Sequence, residues 1–375
     1  MFISSIELSN ILSFRHTEPL ELGPLNIVIG ANGSGKSNLI ECLGLLQSLR
    51  GSASTFINQR GGTDAWLWKG RSDTGRAQVT CNLGIGSERL QYKIAFEAVE
   101  HTLEITHESL QSGKSNYFVR VGPAIRMARK GRNGASGKVE ASESVLAVYR
   151  DPADTTPITQ AAEALSKTRI YRGFDTGTRS NARTGTSSAS PKHPLEDDGA
   201  NLVLALMEMD FNGSLRQVTD SLKRLSERFE DIKFRAEGSV MQLYLKERGL
   251  PLIPATRLSD GTLKFLCMMA ILLDPDPAPL TCIDEPESGL HPDALTLVAD
   301  ALREASKRTQ LIVTTHSDAL VDRFSDEPES IVVCERDTDE SSHFRRLSRK
   351  NLKVWLQEYS LGELWRRGEI GGTQR

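Results

Sequence analysis

The stretch best suited to chemistry by residue type and spacing is Gly30-Ala31-Asn32-Gly33-Ser34-Gly35-Lys36-Ser37. An apolar run, Leu25 to Ile29, precedes it, and a helical pattern of Leu39, Ile40, Leu43 and Leu46 follows. Strand, glycine-rich loop and helix in that order form the context of a phosphate-binding loop. Successive backbone N–H groups would wrap phosphates, and the helix N-terminus would add its partial positive charge. Gly33 and Gly35 allow backbone turns that a Cβ would block. Lys36 is the donor to the β- and γ-phosphates, and the Ser37 hydroxyl is a ligand for Mg²⁺. The ligand these residues imply is a nucleoside triphosphate.

A second group lies far downstream. Leu280-Thr281-Cys282-Ile283-Asp284-Glu285 is an apolar strand ending in two carboxylates. There Asp284 suits the Mg²⁺ shell and Glu285 suits polarising an attacking water. Ahead of it, Leu258-Ser259-Asp260-Gly261-Thr262 opens an apolar helix with a hydroxyl and free N–H groups, an end fit for a phosphate and also an ordinary N-cap. After it come Glu287-Ser288-Gly289-Leu290-His291-Pro292 and the strand Leu311 to Thr315, which ends at His316-Ser317.

Taken together, these motifs resemble the ATPase heads of the RecF/SMC-like branch of the ABC-class (AAA, P-loop) ATPases. Residues 30–38, through Asn38, match the form G-x-N-G-S-G-K-S-N. Leu258 to Thr262 resembles the signature motif, in an L-S-D-G-T form unlike the L-S-G-G-Q of transporters. The resemblance implies an ATP-dependent homodimer in which Ser259 and Gly261 of one chain meet the nucleotide of the other. It also implies a D-loop at Glu287 to Pro292, a switch histidine at His316 contacting the γ-phosphate, and Arg15 near the α-phosphate and base. The resemblance covers about residues 1–50 and 255–330, and the glutamine of the Q-loop has no patterned match; Gln59 and Gln160 are candidates. The implied fold class is α/β, an ABC-ATPase head with a central mixed sheet, flanking helices and an antiparallel β-lobe. The ATPase domain of overcoming-lysogenization-defect proteins is a related type.

The elements that must position these residues divide the chain. Residues 1–172 read as an N-terminal lobe, with short alternating runs over about 77–150 forming the antiparallel β-lobe. Residues 173–194, rich in Ser, Thr, Gly, Asn and Arg, read as a mobile linker or loop. Residues 195–375 read as the C-terminal lobe, with helical patterns over Ala200 to Met209 and Ser214 to Phe229. No sustained heptad repeat appears, so no coiled-coil arm is expected. Arg126, Arg129, Lys130, Arg132 and Lys138 crowd a hairpin tip and suit either a nucleic-acid backbone or plain solvent; no aromatic side chain interleaves them. Glu335, Asp337 and Asp339 lie in a late turn, a charged hairpin turn or an acidic metal site in miniature. Residues 354–365 read as an amphipathic segment that docks on the body or a partner.

Composition bounds the rest. The net charge of −3 gives no overall basic field to draw the chain to nucleic acid. The five cysteines are scattered without a C-x-x-C pair, which argues for a reducing compartment and against a zinc or disulfide framework. No apolar run reaches the roughly 18 residues of a membrane helix. The expectation is a cytoplasmic ATPase using ATP and Mg²⁺, switching a separately encoded effector such as a nuclease in DNA repair or antiphage defence, with DNA or RNA as a second ligand. An ATP-binding transporter subunit is the alternative and would copurify with a membrane protein. A P-loop kinase is a third reading, marked by transfer to an acceptor other than water.

Overall fold

The computed structural model describes residues 2–70, 75–113, 115–127, 136–149 and 156–371. The chain forms two compact units. One comprises Met1–Thr168, Glu329–Ser348 and Gly368–Arg375; the other comprises Arg169–Pro328 and Arg349–Arg367.

In the first unit, nine described strands form one antiparallel sheet running from Ile3–Ile11 outward through Arg76–Ile85, Glu88–Val99, Thr102–Ser112 and Ser115–Val121 to a final hairpin. Alternation sets its faces: Leu8, Val79, Ile94 and Leu110 are buried while their chain neighbours vary. The segment after the first helix, whose purpose the sequence left open, packs here. Trp66 is 1% exposed, its carbonyl accepts from Leu12 N at 2.8 Å, and its ring meets Phe56 edge-on. Arg126 and Lys138 lie on the terminal hairpin, whose strands pair Ser136 with Arg126 and Lys138 with Ala124. Arg129, Lys130 and Arg132 lie outside the described residues.

The same unit holds the phosphate-loop strand, Leu25–Ile29, every residue of which is buried. It pairs in parallel with Ile331–Arg336, which pairs antiparallel with Ser342–Arg346. Strands more than 300 residues apart in the chain thus flank one loop.

In the second unit, Arg169–Tyr171, Leu280–Asp284 and Gln310–Thr315 form parallel pairs. Their near-continuous apolar sequences suit strands covered on both faces. Helices Leu202–Phe211, Asp260–Leu272 and Pro292–Ser306 bury apolar faces in this unit. Helix Leu215–Leu225 ends earlier than its apolar spacing suggests, and Phe229 instead opens a strand, Phe229–Glu237. Ser226 takes an extended conformation that stops the helix.

The division differs from the expected boundaries at 172 and 195. Residues 329–348 and the stretch from Gly368 return to the first unit. The expected linker, 173–194, belongs to the second unit and carries a short helix, Asn181–Thr184, and a strand, Thr186–Ser187, paired with Val240–Glu247. Polar composition hid one buried anchor in it, Arg183, described below.

A buried charge cluster pins the antiparallel sheet. Glu108 and Arg120 are both fully buried. Glu108 accepts hydrogen bonds from Tyr92 Oη (2.8 Å), Ser144 Oγ (2.7 Å) and Val145 N (2.8 Å). Arg120 donates to the carbonyls of Gly122, Glu140, Ala141 and Glu143 and stands 3.8 Å from Glu108. Burial pushes the Glu108 carboxyl above its ordinary pKa, against the pull of those donors and of Arg120. Arg120→Met should lower unfolding free energy by about 3–5 kcal/mol, because it strands both a carboxylate and four carbonyls. Urea denaturation of the two proteins measures this; a loss below about 1 kcal/mol would mean the cluster is not structural.

Candidate functional site

Each unit carries one set of site residues. In the first, the chain leaves the buried strand Leu25–Ile29, turns through the glycine loop and enters the helix Lys36–Ser48. Gly33 and Gly35 have φ of 75° and 114°, in the region that disfavours a side chain. At Gly35 a Cβ would also stand 2.5 Å from Ser342 Oγ and 2.8 Å from Ser13 Oγ, so only glycine fits. At Gly30 a Cβ would strike the Cys334 carbonyl. The helix has no acidic residue in its first turn, so its partial positive end is not offset locally.

The Lys36 ammonium lies over the loop, donating to Gly30 O at 2.7 Å and Ala31 O at 3.0 Å. Asn32, Gly33 and Ser37 are exposed, and the buried Ser34 hydroxyl has no hydrogen-bond partner among the described residues. These features fit a triphosphate: a loop closed to side chains behind, open in front of Gly33, with a lysine arched across it and an orphaned hydroxyl inside. Lys36 and the loop N–H groups would hold the phosphates, and Ser37 would offer its hydroxyl to Mg²⁺.

Behind the loop runs a chain of polar groups. Asn38 Nδ2 donates to Ser13 Oγ at 2.8 Å, and Ser13 Oγ lies 2.8 Å from Ser342 Oγ. Ser342 Oγ donates to the Ser34 carbonyl at 2.6 Å. A carbonyl only accepts, so the single proton of Ser342 goes there and Ser13 supplies the proton between the two hydroxyls. Ser342 N closes the clamp on Ser13 O at 2.8 Å. Ser342 was not legible as a site residue, because nothing in its local sequence marks it.

Arg15 pairs with Asp339 at 3.1 Å, and its backbone N–H donates to Ser341 Oγ. Asp337 caps its own turn, accepting from Asp339 N at 3.0 Å and Ser341 N at 2.8 Å. Glu335 stands 3.5 Å from Arg345. The acidic triplet is therefore a structural turn; among the described residues no cluster of three acidic, histidine or cysteine side chains could hold a metal. A cavity of about 710 Å³ beside the loop is lined by Asn32, Gly33 and Ser34 of the loop, by Arg336 and His343, and by the carboxylates of Glu335, Asp337 and Glu340.

In the second unit, Asp284 and Glu285 sit where Leu280–Asp284 ends. Asp284 Oδ1 accepts from the Thr314 hydroxyl on the parallel neighbour. Glu285 has φ of 49°, an uncommon conformation for a residue with a side chain, held by its N–H bonding to Thr314 O at 3.0 Å. Its carboxylate accepts from Ser288 Oγ at 3.2 Å and stands 3.5 Å from His316 Nε2. Glu287 fixes the histidine's position: its Oε1 accepts from His316 N and from Thr315 Oγ1, both at 2.7 Å. Its Oε2 is buried with no hydrogen-bond partner among the described residues.

Ser259 caps helix Asp260–Leu272, accepting from Thr262 N at 3.1 Å. Asp260 would place a negative charge at this helix end, and Arg183 answers it with an ion pair. Arg183 also donates to the carbonyls of Thr176 (2.7 Å), Ala255 (3.1 Å) and Leu258 (2.6 Å). Gly261 lies against Gly289, where an added Cβ would come within 3.1 Å of the Gly289 carbonyl. Gln59 ends the short helix Ala53–Asn58 and Gln160 lies in Pro157–Ser166; both are exposed. Among the described residues no helix is long and apolar enough to cross a membrane.

Comparison with known proteins agrees with this fold. A family model described as an AAA domain matches residues 5–144, and one described as an AAA domain, putative AbiEii toxin, type IV TA system, matches residues 166–322. A 91-residue stretch is 34% identical to the DNA double-strand break repair Rad50 ATPase of Saccharolobus solfataricus. It covers 24% of this chain and 9% of that relative's length. The structure is similar to an SMC head bound to the C-winged helix domain of ScpA, with TM-score 0.60 and 16% identity over 94% of this chain and 100% of that one. It is equally similar to an Smc head with an extended coiled coil, bound to the C-terminal domain of ScpA derived from Pyrococcus furiosus (TM-score 0.60, 13% identity, 95% and 99% coverage). The fold is the α/β P-loop fold of SMC-type ATPase heads. The sequence similarity is of the AAA and Rad50 kind; the relation to overcoming-lysogenization-defect proteins stays with the motifs alone.

Glu287 yields a specific expectation. Glu287→Ala should leave ATP binding within about twofold and lower turnover at least roughly tenfold, because the backbone at His316 loses its anchor. Phosphate-release kinetics beside equilibrium nucleotide binding separate the two; loss of both together would point to unfolding of the switch strand instead.

Proposed function

We propose that the chain binds ATP with Mg²⁺ and hydrolyses it to ADP and phosphate. The observation that carries the reading is the Glu285–His316 pair, 3.5 Å apart at the ends of two buried parallel strands and held by Thr314 and Glu287. Glu285 accepts the proton of the attacking water. His316 donates toward the terminal phosphate, and Lys36 holds the phosphates by charge. Mg²⁺, when bound, would supply neutralisation of phosphate charge, and Ser37 and Asp284 are the residues proposed to hold it.

In our reading two copies close on nucleotide, with Ser259 and Gly261 of each meeting the nucleotide of the other. The AAA-domain matches, the Rad50 stretch and the SMC head fold support such a switch. The names of those relatives also favour a role in DNA repair or toxin–antitoxin-type defence, and the ScpA-bound heads favour a separate protein partner as effector. All five cysteines are buried free thiols, which suits a cytoplasmic protein.

Lys36→Ala should abolish ATP binding. Glu285→Gln should bind ATP and lose roughly 10²–10⁴ in turnover, because an amide cannot take the proton. Phosphate release at near wild-type rate from Glu285→Gln would remove Glu285 as the base. For assembly, Glu285→Gln with ATP should run as a dimer in light scattering, and Ser259→Arg in that background should stay monomeric while still binding ATP. An assembly unchanged by nucleotide in both proteins would exclude the sandwich.

A further inference from the structure

The segment 349–367 belongs to the second unit and has two faces. One is anchored. Leu361, Leu364 and Trp365 are buried, Gly362 N donates to Asp322 Oδ1 at 2.6 Å, Leu361 N donates to Ser325 Oγ at 2.9 Å, and Arg366 pairs with Asp318. At Gly362 a Cβ would strike the Asp318 carbonyl, so this approach needs glycine. Ser360 and Glu363 close a capping box on the last helix.

The other face is left to solvent. Val354 is 77% exposed and Trp355 42%. Trp355 stands 6.2 Å from Tyr359, ring centre to ring centre, and the Arg367 guanidinium covers the Tyr359 ring at 4.1 Å. Lys350 and Lys353 are exposed and have no ion-pair or hydrogen-bond partner among the described residues. Within 349–367 five cations face two carboxylates, in a chain whose net charge is −3. An indole and a phenol ring under a guanidinium thus stand beside an anchored helix, and two exposed lysines precede the indole closely in the chain.

We propose that this face binds a single-stranded nucleic acid. Trp355 stacks on a base, Arg367 and Tyr359 extend the stacking platform, and Lys350 and Lys353 neutralise backbone phosphates. The pattern is specific to that chemistry. A protein partner would more often meet a surface depleted of lysine. A lipid surface would need more apolar area than one valine and one tryptophan supply. A duplex would hide the base faces that an indole can cover. The proposal is independent of ATP hydrolysis and needs no second copy.

The test is fluorescence anisotropy of a labelled oligo-deoxythymidylate with the full chain, without nucleotide, over a range of salt. Trp355→Ala should weaken binding roughly 5- to 150-fold, the span of one lost stacking contact, and Trp355→Phe should recover most of it. Lys350→Ala with Lys353→Ala should make the slope of log K against log salt shallower by about 1.4, two phosphates at about 0.7 each for a single strand. Circular dichroism of each variant checks folding, and if Trp355→Ala fails to fold the salt slope of Lys350→Ala with Lys353→Ala carries the test. Binding that is insensitive to both substitutions would place the site elsewhere and overturn the proposal. So would tighter binding to a duplex of the same length, or association with anionic phosphatidylserine vesicles in place of the oligonucleotide.

Discussion

The phosphate loop depends on a hydroxyl from the far end of the chain. Ser342 Oγ occupies the space that a Cβ at Gly35 would need, and its proton satisfies the Ser34 carbonyl. Ser13 and Asn38 complete the chain of donors from the other side. A glycine-rich loop gains its anion-binding geometry from backbone freedom, and that freedom must be removed before a ligand arrives if the N–H groups are to converge. Here three side chains from outside the loop remove it. The loop is held from behind by neutral hydroxyls and an amide, which leaves its positive end unopposed by charge.

The second unit solves its positioning problem with charge. Glu287 gives one carboxylate oxygen to two donors on the switch strand, and Arg183 gathers three carbonyls and Asp260 at the start of helix Asp260–Leu272. Both groups act through backbone, so neither needs to touch a substrate. Glu285 is held differently, by strain: a left-handed conformation maintained because its N–H has a fixed acceptor on the neighbouring strand. Residues that keep such a conformation against its cost of about 1–3 kcal/mol gather at sites where side-chain direction matters.

What the sequence revealed follows from locality. The loop, the strand with its two carboxylates and the histidine after a strand are short motifs whose meaning lies within a few residues, and the fold class was readable from their order. The residues it did not reveal, Ser342 and Arg183, act across 308 and 72 to 77 positions, and Glu287, read as the head of a D-loop, anchors the switch strand across 28 to 29. Arg183 sits among serines, threonines and glycines whose composition spoke for a linker, yet one buried guanidinium with four partners orders it. The return of the chain to its first unit at Glu329 was hidden for a related reason: no composition change marks it. Glu335, Asp337 and Asp339 left a charged turn and a small metal site both open, because spacing alone cannot separate a ligand set from a turn that satisfies its own N–H groups.

The wide separation of Ser34 from Ser342 also sets an order of events during synthesis. A ribosome adding about 5–20 residues per second needs roughly 15–60 s to cover the 308 positions between them. For that interval the glycine loop exists without Ser342 or the strand Ile331–Arg336 that flanks its own. A nascent chain therefore passes through most of its translation with the nucleotide loop unbraced, and gains its finished form only after the stretch Arg169–Pro328 of the second unit has been made.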